Sequence, residues 1–540
     1  MSQDRMRRSD VLAAYEDHMP GPRKTGPLGF VLPVIVVGIL GAIGLFLYKG
    51  RVETVRAAEE KVAKARRKLR KHDLASLREA ERLYKETLEL IPGDEKAVAG
   101  LALTYFQQSQ HGLSTLGASK DYLAQAESAN TVSSERYATR AYIDIVEGRP
   151  EKAERDIKTL LEQELGDART AHALGWARAA QGDWVEGNRI IRQAIDRDFS
   201  AVAYRFTLAE IAHRTGNERA AVRQLDSILQ PNVNPDHLLA KAWLAALRLK
   251  NYGNLTKPVQ AISELQAAGA LSPKTQGYLA WAEVELQLAL MKYPEAQKKL
   301  EEATALLPDF PPLVDAEARA LVGLKKPRRA IAAFKRAIDM TPSYRGIKWE
   351  FARYQSRRGR NAALALVDEL ERSDRGAKGP EYELFRGDYE LRKGDLDAAD
   401  THYQKAAELG DDPDILFGLA KVTFERQKKR GDKADLDAVA RAIQLALDKK
   451  RLFPEAHEYV AGISLWNYQV DSAHNEFEQA EEQIKKLRRP IPEVMAFYER
   501  VRTAFTKLDA PQKVRRQAAR LAQQWQQKQG EYASSLLTEG

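Results

Sequence analysis

Ala296, Leu300, Ala303 and Pro308 return 34 residues later as Ala330, Phe334, Ala337 and Pro342. The same spacing of four, three and five is met by Ala80, Tyr84, Thr87 and Pro92. Without the proline it recurs at Gly187, Ile191 and Ala194, and 34 residues on at Ala221, Leu225 and Ile228. It returns at Ala399, Tyr403 and Ala406, and at Ala473, Phe477 and Ala480. Residues three and four apart share one helical face, so each recurrence marks a helix with small and large residues in fixed order. A unit of this length cannot bury its apolar face alone. Neighbouring units must stack and share one core.

The rest of the pattern is also helical. Ala, Leu, Glu, Lys, Arg and Gln dominate, and these are strong helix formers. No segment alternates apolar and polar residues over a strand's length. Turns precede several of the recurrences, at Gly182-Asp183, Gly216-Asn217 and Gly394-Asp395. A partner helix shows Leu174-Gly175, Leu208-Ala209 and Leu101-Ala102. Together these motifs resemble the tetratricopeptide repeat. The resemblance implies an all-α fold, a right-handed α-solenoid of helix pairs, which the sequence places behind one transmembrane helix. It implies that the small residue of helix A lets helix B press close and that the alanine of helix B returns the favour. The large residue four later then fills the gap, and the proline ends the helix. It covers most of residues 72–490, with 107–135 read as a looser insertion and 235–275 as helical but out of register. Trp176, Trp184, Trp243, Trp281, Trp349 and Trp466 fall on apolar faces and are expected in the packing.

Ahead of the repeats stands a run of 21 residues, Leu28 to Tyr48, without a charged side chain. At ~1.5 Å per residue such a helix spans a hydrocarbon core of ~30 Å. No small-residue cleavage site follows it, so the sequence predicts a retained transmembrane helix rather than a signal peptide. Gly38 and Ala42 form a small-xxx-small pair, a route to a homodimer through the membrane helix. The net charge of +9 is concentrated beside the run. Residues 1–71 hold 15 Lys or Arg against 7 Asp or Glu, leaving +1 for everything after them. The basic stretch from Val62 to Lys71 faces the headgroups or the solvent. Three basic residues lie within 20 positions before the run and eight within 20 after it, which places the repeats in the cytoplasm by the positive-inside rule. The absence of cysteine points the other way, to an oxidising envelope compartment. The charge count is given more weight, and the expected location is a bacterial inner membrane.

The predicted organisation is therefore a tail (1–27), a transmembrane helix (28–48), a basic helical linker (49–71), the solenoid (72–490) and C-terminal capping helices with a frayed tail (491–540). No phosphate loop, dinucleotide fingerprint or paired-histidine zinc motif occurs, and the histidines are read as isolated. Neither cofactor nor metal nor catalytic residue is expected. The near-neutral solenoid argues against nucleic acid as a partner. The Lys and Asn set of a two-carboxylate peptide clamp is not found in order. The layout resembles both repeat-type import receptors of mitochondrial membranes and membrane-anchored repeat adaptors of bacterial envelopes. The expected function is a non-enzymatic scaffold that takes a peptide or helix of a partner protein in its groove. The alternative is a permanent structural subunit of a multiprotein envelope or membrane machine.

Overall fold

The computed structural model describes residues 28–538 apart from 130–131, 164–165, 216, 252–254, 341–344, 359–360, 374–379, 411, 432–434 and 451, with side chains of the first helix from Leu45 onward. The described residues form 26 α-helices and no strand. Short connections fold consecutive helices back on each other as thirteen pairs. The first helix of each pair is called inner below, because those of the first seven pairs border one central hollow, and the second is called outer.

The turn chemistry explains the pairing. Gly182 ends one helix at φ +91°, a left-handed conformation that suits glycine. Asp183 then caps the next helix by accepting a hydrogen bond from the Glu186 N–H. Gly394 and Asp395 repeat the arrangement, with Asp395 accepting from the Ala398 N–H at 3.0 Å. At the end of the first helix the left-handed position is held by His72, φ +54°, and Asp73 accepts from the Ser76 N–H at 2.8 Å.

Glycine also sets the spacing between helices. A Cβ built on Gly100 would lie 2.3 Å from the Tyr84 ring. Tyr403 occupies the groove of two glycines, Gly387 in its own pair and Gly418 in the next. Gly175 and Gly187 face each other so closely that a Cβ on Gly187 would lie 2.7 Å from the Gly175 carbonyl oxygen. Ala80, Tyr84, Gly175, Ala221, Leu225, Ala296, Leu300, Ala303, Ala330, Phe334, Ala337, Ala399, Tyr403, Ala406, Ala473, Phe477 and Ala480 are buried. Leu174 is half-buried, and Pro92 and Pro308 are exposed in turns. Pro342 lies outside the described residues.

Several segments differ from the sequence reading. The first helix runs without a break from Leu28 to Lys71. Ala58, Val62, Ala65 and Leu69 are buried along one face of it. That four-three-four spacing packs the segment read as a linker into the array as its first inner helix. Residues 107–135 hold a regular outer helix, Leu116–Ser128, fixed by Leu123 and Ala126 in the packing and by the Ser119 hydroxyl donating to the Ala102 carbonyl. The tail read as frayed is helical to Thr538, because Tyr532 and Leu536 pack on the central core. The backbone of the apolar run is helical. Among the described residues no helix is long and apolar enough to cross a membrane. The side chains of 28–44, which include Gly38 and Ala42, lie outside the described residues.

The array coils tightly. The inner helix Val202–Arg214 of the fifth pair touches the first inner helix, Leu28–Lys71, and the ninth, Arg345–Ser356. Inner helices four pairs apart therefore meet across the superhelix. Replacing Gly187 with Ala forces a methyl against a backbone oxygen and is expected to destabilise the chain by about 1–3 kcal/mol. Phe334→Ala empties a buried site and should cost about 3–5 kcal/mol. Thermal or urea melting measures both, and parent-like melting of both variants would contradict the packing described here.

Candidate functional site in the central channel

The inner helices of the first seven pairs enclose a channel walled by aromatic rings. Phe106 stacks on Tyr142 at 5.3 Å between ring centroids, and Tyr142 lies 5.6 Å from Trp176. Further along, Phe206, Trp243, Tyr278 and Phe310 follow at 6.3, 5.6 and 5.3 Å. The channel comprises three adjoining hollows that share Gln110, Glu210 and Lys274. The most enclosed is bordered by Arg66, Tyr142, Trp176, Trp243, Lys274 and Tyr278 and is open to solvent on one part of its boundary.

Charge is distributed along the same wall. Arg66 and Arg169 converge on one carboxylate, Glu135, at 2.8 and 3.0 Å. Burial pushes Glu135 up, but Arg169 and Arg66 outweigh it and keep the group below the usual carboxylate range. Arg70 pairs with Asp198 at 3.1 Å and Arg214 with Glu210 at 2.7 Å. His172 links two hydroxyls, with Nδ1 hydrogen-bonded to the Tyr142 hydroxyl at 2.7 Å and Nε2 to the Thr207 hydroxyl at 2.8 Å. One turn further on, Lys250 is buried among Glu218, Asp315 and Glu350 at 2.8, 3.2 and 3.7 Å. Arg319 bridges Asp315 and Glu285 there. These ions join the fifth pair to the ninth.

The end of the first helix is joined by histidines to the second pair and to the start of the sixth. His72, His111 and His237 are all buried, and one ring nitrogen of each lies within 4.8 Å of the others. That spacing suits a metal, so the donor chemistry decides. The Ala240 N–H donates to His237 Nδ1 at 3.3 Å, which places the proton of the neutral ring on Nε2. Nε2–H then donates to the His72 carbonyl at 3.0 Å. His111 Nε2 donates to the same oxygen at 2.8 Å. Two of the three nitrogens thus present protons where a metal requires lone pairs. Asn234 donates to the Lys71 carbonyl at 3.1 Å and to Asp73 at 3.0 Å, completing a clamp on the end of the first helix. The residues fit a hydrogen-bonded clamp better than a metal centre.

Sequence reading treated these histidines as isolated, because residues 72, 111 and 237 share no local spacing. Trp281 is buried in the core as expected, and so is Trp243, which also walls the channel. Trp176, Trp184, Trp349 and Trp466 are only half-buried, and Trp176 faces the channel. One signal was available: Phe106, Tyr142, Trp176, Trp243, Tyr278 and Phe310 recur at close to the repeat length or twice it.

Burial, reinforced by the neighbouring rings, holds His72 well below its ordinary value and His111 at about 3. Burial alone brings His172 to about 3, and burial against the pull of nearby carboxylates leaves His213 and His237 at about 4. The unfolded chain takes up these protons near ~6.5. As pH falls from there the unfolded state binds more protons than the folded one, so stability declines progressively toward the folded values of about 4 and then about 3. The melting temperature should drop between pH 7 and pH 5. His111→Gln retains an N–H for the His72 carbonyl and should show a shallower drop. EDTA at pH 7 should leave melting unchanged, and a large downward shift with EDTA would favour a metal centre.

No protein-family model matches this sequence, and no curated protein matches it. Among solved structures, the Cut9–Hcn1 hetero-tetramer of the APC/C aligns over 78% of this chain and 93% of that chain, at 13% identity and a TM-score of 0.35. A tetratricopeptide repeat protein from Parabacteroides merdae aligns over 54% and 98%, at 14% identity and 0.29. Human IFIT1 with m7Gppp-AAAA aligns over 71% and 89%, at 16% identity and 0.39. At such scores neither the course of the superhelix nor a ligand carries over. The repeat itself is read from this chain's own geometry: paired helices, several of them recurring at 34 residues, with small-residue seats for a large side chain such as Gly100 for Tyr84 and Gly387 and Gly418 for Tyr403. The described residues form an array of antiparallel helix pairs, the fold expected from the resemblance to the tetratricopeptide repeat.

Proposed function

We propose that this chain is a non-enzymatic scaffold, held at a membrane by residues 28–48, whose repeat array binds a segment of a partner protein. The observation that carries the reading is the aromatic channel along the inner helices, where a repeat array offers its concave binding surface. The apolar run and the basic residues behind it support the anchor. The first inner helix grows directly from that run, so a membrane anchor would hold the array close to the bilayer without a flexible tether. The proposal includes a homodimer through Gly38 and Ala42, a cytoplasmic array at a bacterial inner membrane, and no nucleic-acid ligand.

The alternative is a permanent subunit of a larger envelope or membrane machine. Val185, in the first turn of the outer helix Trp184–Arg197, and Phe199, just past its end, are 84% and 55% exposed and are what a constant neighbour would cover.

Site-specific photocrosslinkers placed at Trp176 and Val185 of the membrane-extracted chain separate the two. The scaffold predicts crosslinks from the channel position that exchange with competing extract. The machine predicts stoichiometric, salt-resistant crosslinks from the outer position. Orientation is tested by a reporter fused after Gly540, because Tyr532 and Leu536 pack on the core and must be kept. Reporter activity confined to a form that works in the cytoplasm is expected, and substituting Arg67, Lys68 and Lys71 with Gln should weaken that preference. A periplasmic signal from the parent fusion would overturn the orientation.

A further inference from the structure

Among the described residues of the channel wall, Lys274 is a cation with no ion pair and no side-chain hydrogen bond. Arg66, Arg70, Arg169 and Arg214 are each matched to a carboxylate. Lys274 is held in place by its own backbone, whose N–H donates to the His111 carbonyl at 3.1 Å. Its amine stands 5.8 Å from the centre of the Tyr278 ring. The charged groups facing it are Glu210 and Arg214, which are paired with each other. Burial pushes the amine below its ordinary value, Glu210 pulls it up, and Arg214 pushes it down again.

Two further observations point to a ligand. Lys274 borders all three hollows. Trp243 borders two of them, and its indole N–H is buried without an acceptor. A buried donor left unpaired is destabilising, and a charge left without a counter-ion more so. An oxyanion beside Lys274 would neutralise the amine, and the walls around it are the faces and edges of Trp176, Trp243 and Tyr278.

We propose that the channel binds a single carboxylate carried on a flat aromatic body, with the carboxylate on Lys274 and the aromatic body against Tyr278, Trp243 and Trp176. One unmatched amine suits one negative charge, because the arginines are already neutralised within the wall. Rings pack on rings in offset or edge-on contact, which an aliphatic acid does not reproduce. The inference does not depend on the scaffold reading, since a chain whose partner sits on the outer face would hold the same channel.

Dansylglycine, an aromatic carboxylate, and dansylamide, its uncharged counterpart, are titrated into the full chain in an uncharged detergent. Energy transfer from the channel tryptophans to the dansyl group reports binding. One saturable site per chain is expected, with dansylglycine at least tenfold tighter than dansylamide. Lys274→Met should reduce that preference to below twofold with melting and dansylamide binding unchanged, and Lys274→Arg should retain it. Equal binding of the two probes by the parent overturns the proposal. So does a preference that survives in Lys274→Met, or one lost equally in Lys274→Arg. Displacement then identifies the source of the acid: indole-3-acetate for a free small molecule, the blocked peptide N-acetyl-Trp-Glu-Trp-amide for a segment of a partner. Failure of the scaffold reading would appear in the crosslinking experiment and leave the probe preference intact.

Discussion

Every larger feature of this molecule follows from how closely an outer helix can approach an inner one. Where glycine or alanine faces a large side chain, the two backbones approach until the large group fills the groove. Tyr84 over Gly100 and Tyr403 between Gly387 and Gly418 are the plainest cases. The same seat repeated along the chain fixes the rotation from one pair to the next. That rotation is what brings the fifth inner helix against the first and the ninth. A looser seat would open the coil and leave no enclosed channel.

Closing the coil brings polar groups of distant repeats into a dry interior. Two solutions appear. Where the end of the first helix meets the second and sixth pairs, neutral imidazoles donate to a backbone carbonyl freed by the end of a helix. At the contact of the fifth and ninth pairs, buried ions satisfy one another, with acids in excess of bases around Lys250 and Arg319. There burial, together with the neighbouring Asp315, raises Glu350 above its ordinary range in spite of Lys250 and Arg319. Apolar packing within pairs supplies most of the stability in such an array, and these polar contacts specify which turns meet.

Legibility in the sequence differed sharply between the fold and the channel. The packing residues were readable because each lies in a fixed local pattern. Ala330, Phe334 and Ala337 meet their partners within one repeat, and local spacing describes that. The first inner helix was misread because Arg66, Arg67, Lys68, Arg70 and Lys71 dominate its composition, although Ala58, Val62, Ala65 and Leu69 carry a regular apolar stripe beneath them. The aromatic wall was half legible, since its spacing follows the repeat while its exposure to a cavity does not. Lys274 carried no signal, being one lysine among many near the start of a helix.

The sequence by itself determined that this chain is a stack of helix pairs with small-residue seats, and it marked an apolar run long enough for a bilayer at one end. Those properties depend on neighbours a few residues apart, or one repeat apart. Only the tertiary structure decided that inner helices four pairs apart touch, that His72, His111 and His237 form one clamp, and that Lys274 faces a channel without a counter-ion. These depend on the summed rotation of several repeats. A small change in each seat accumulates over four pairs, so no local pattern encodes which distant residues arrive together.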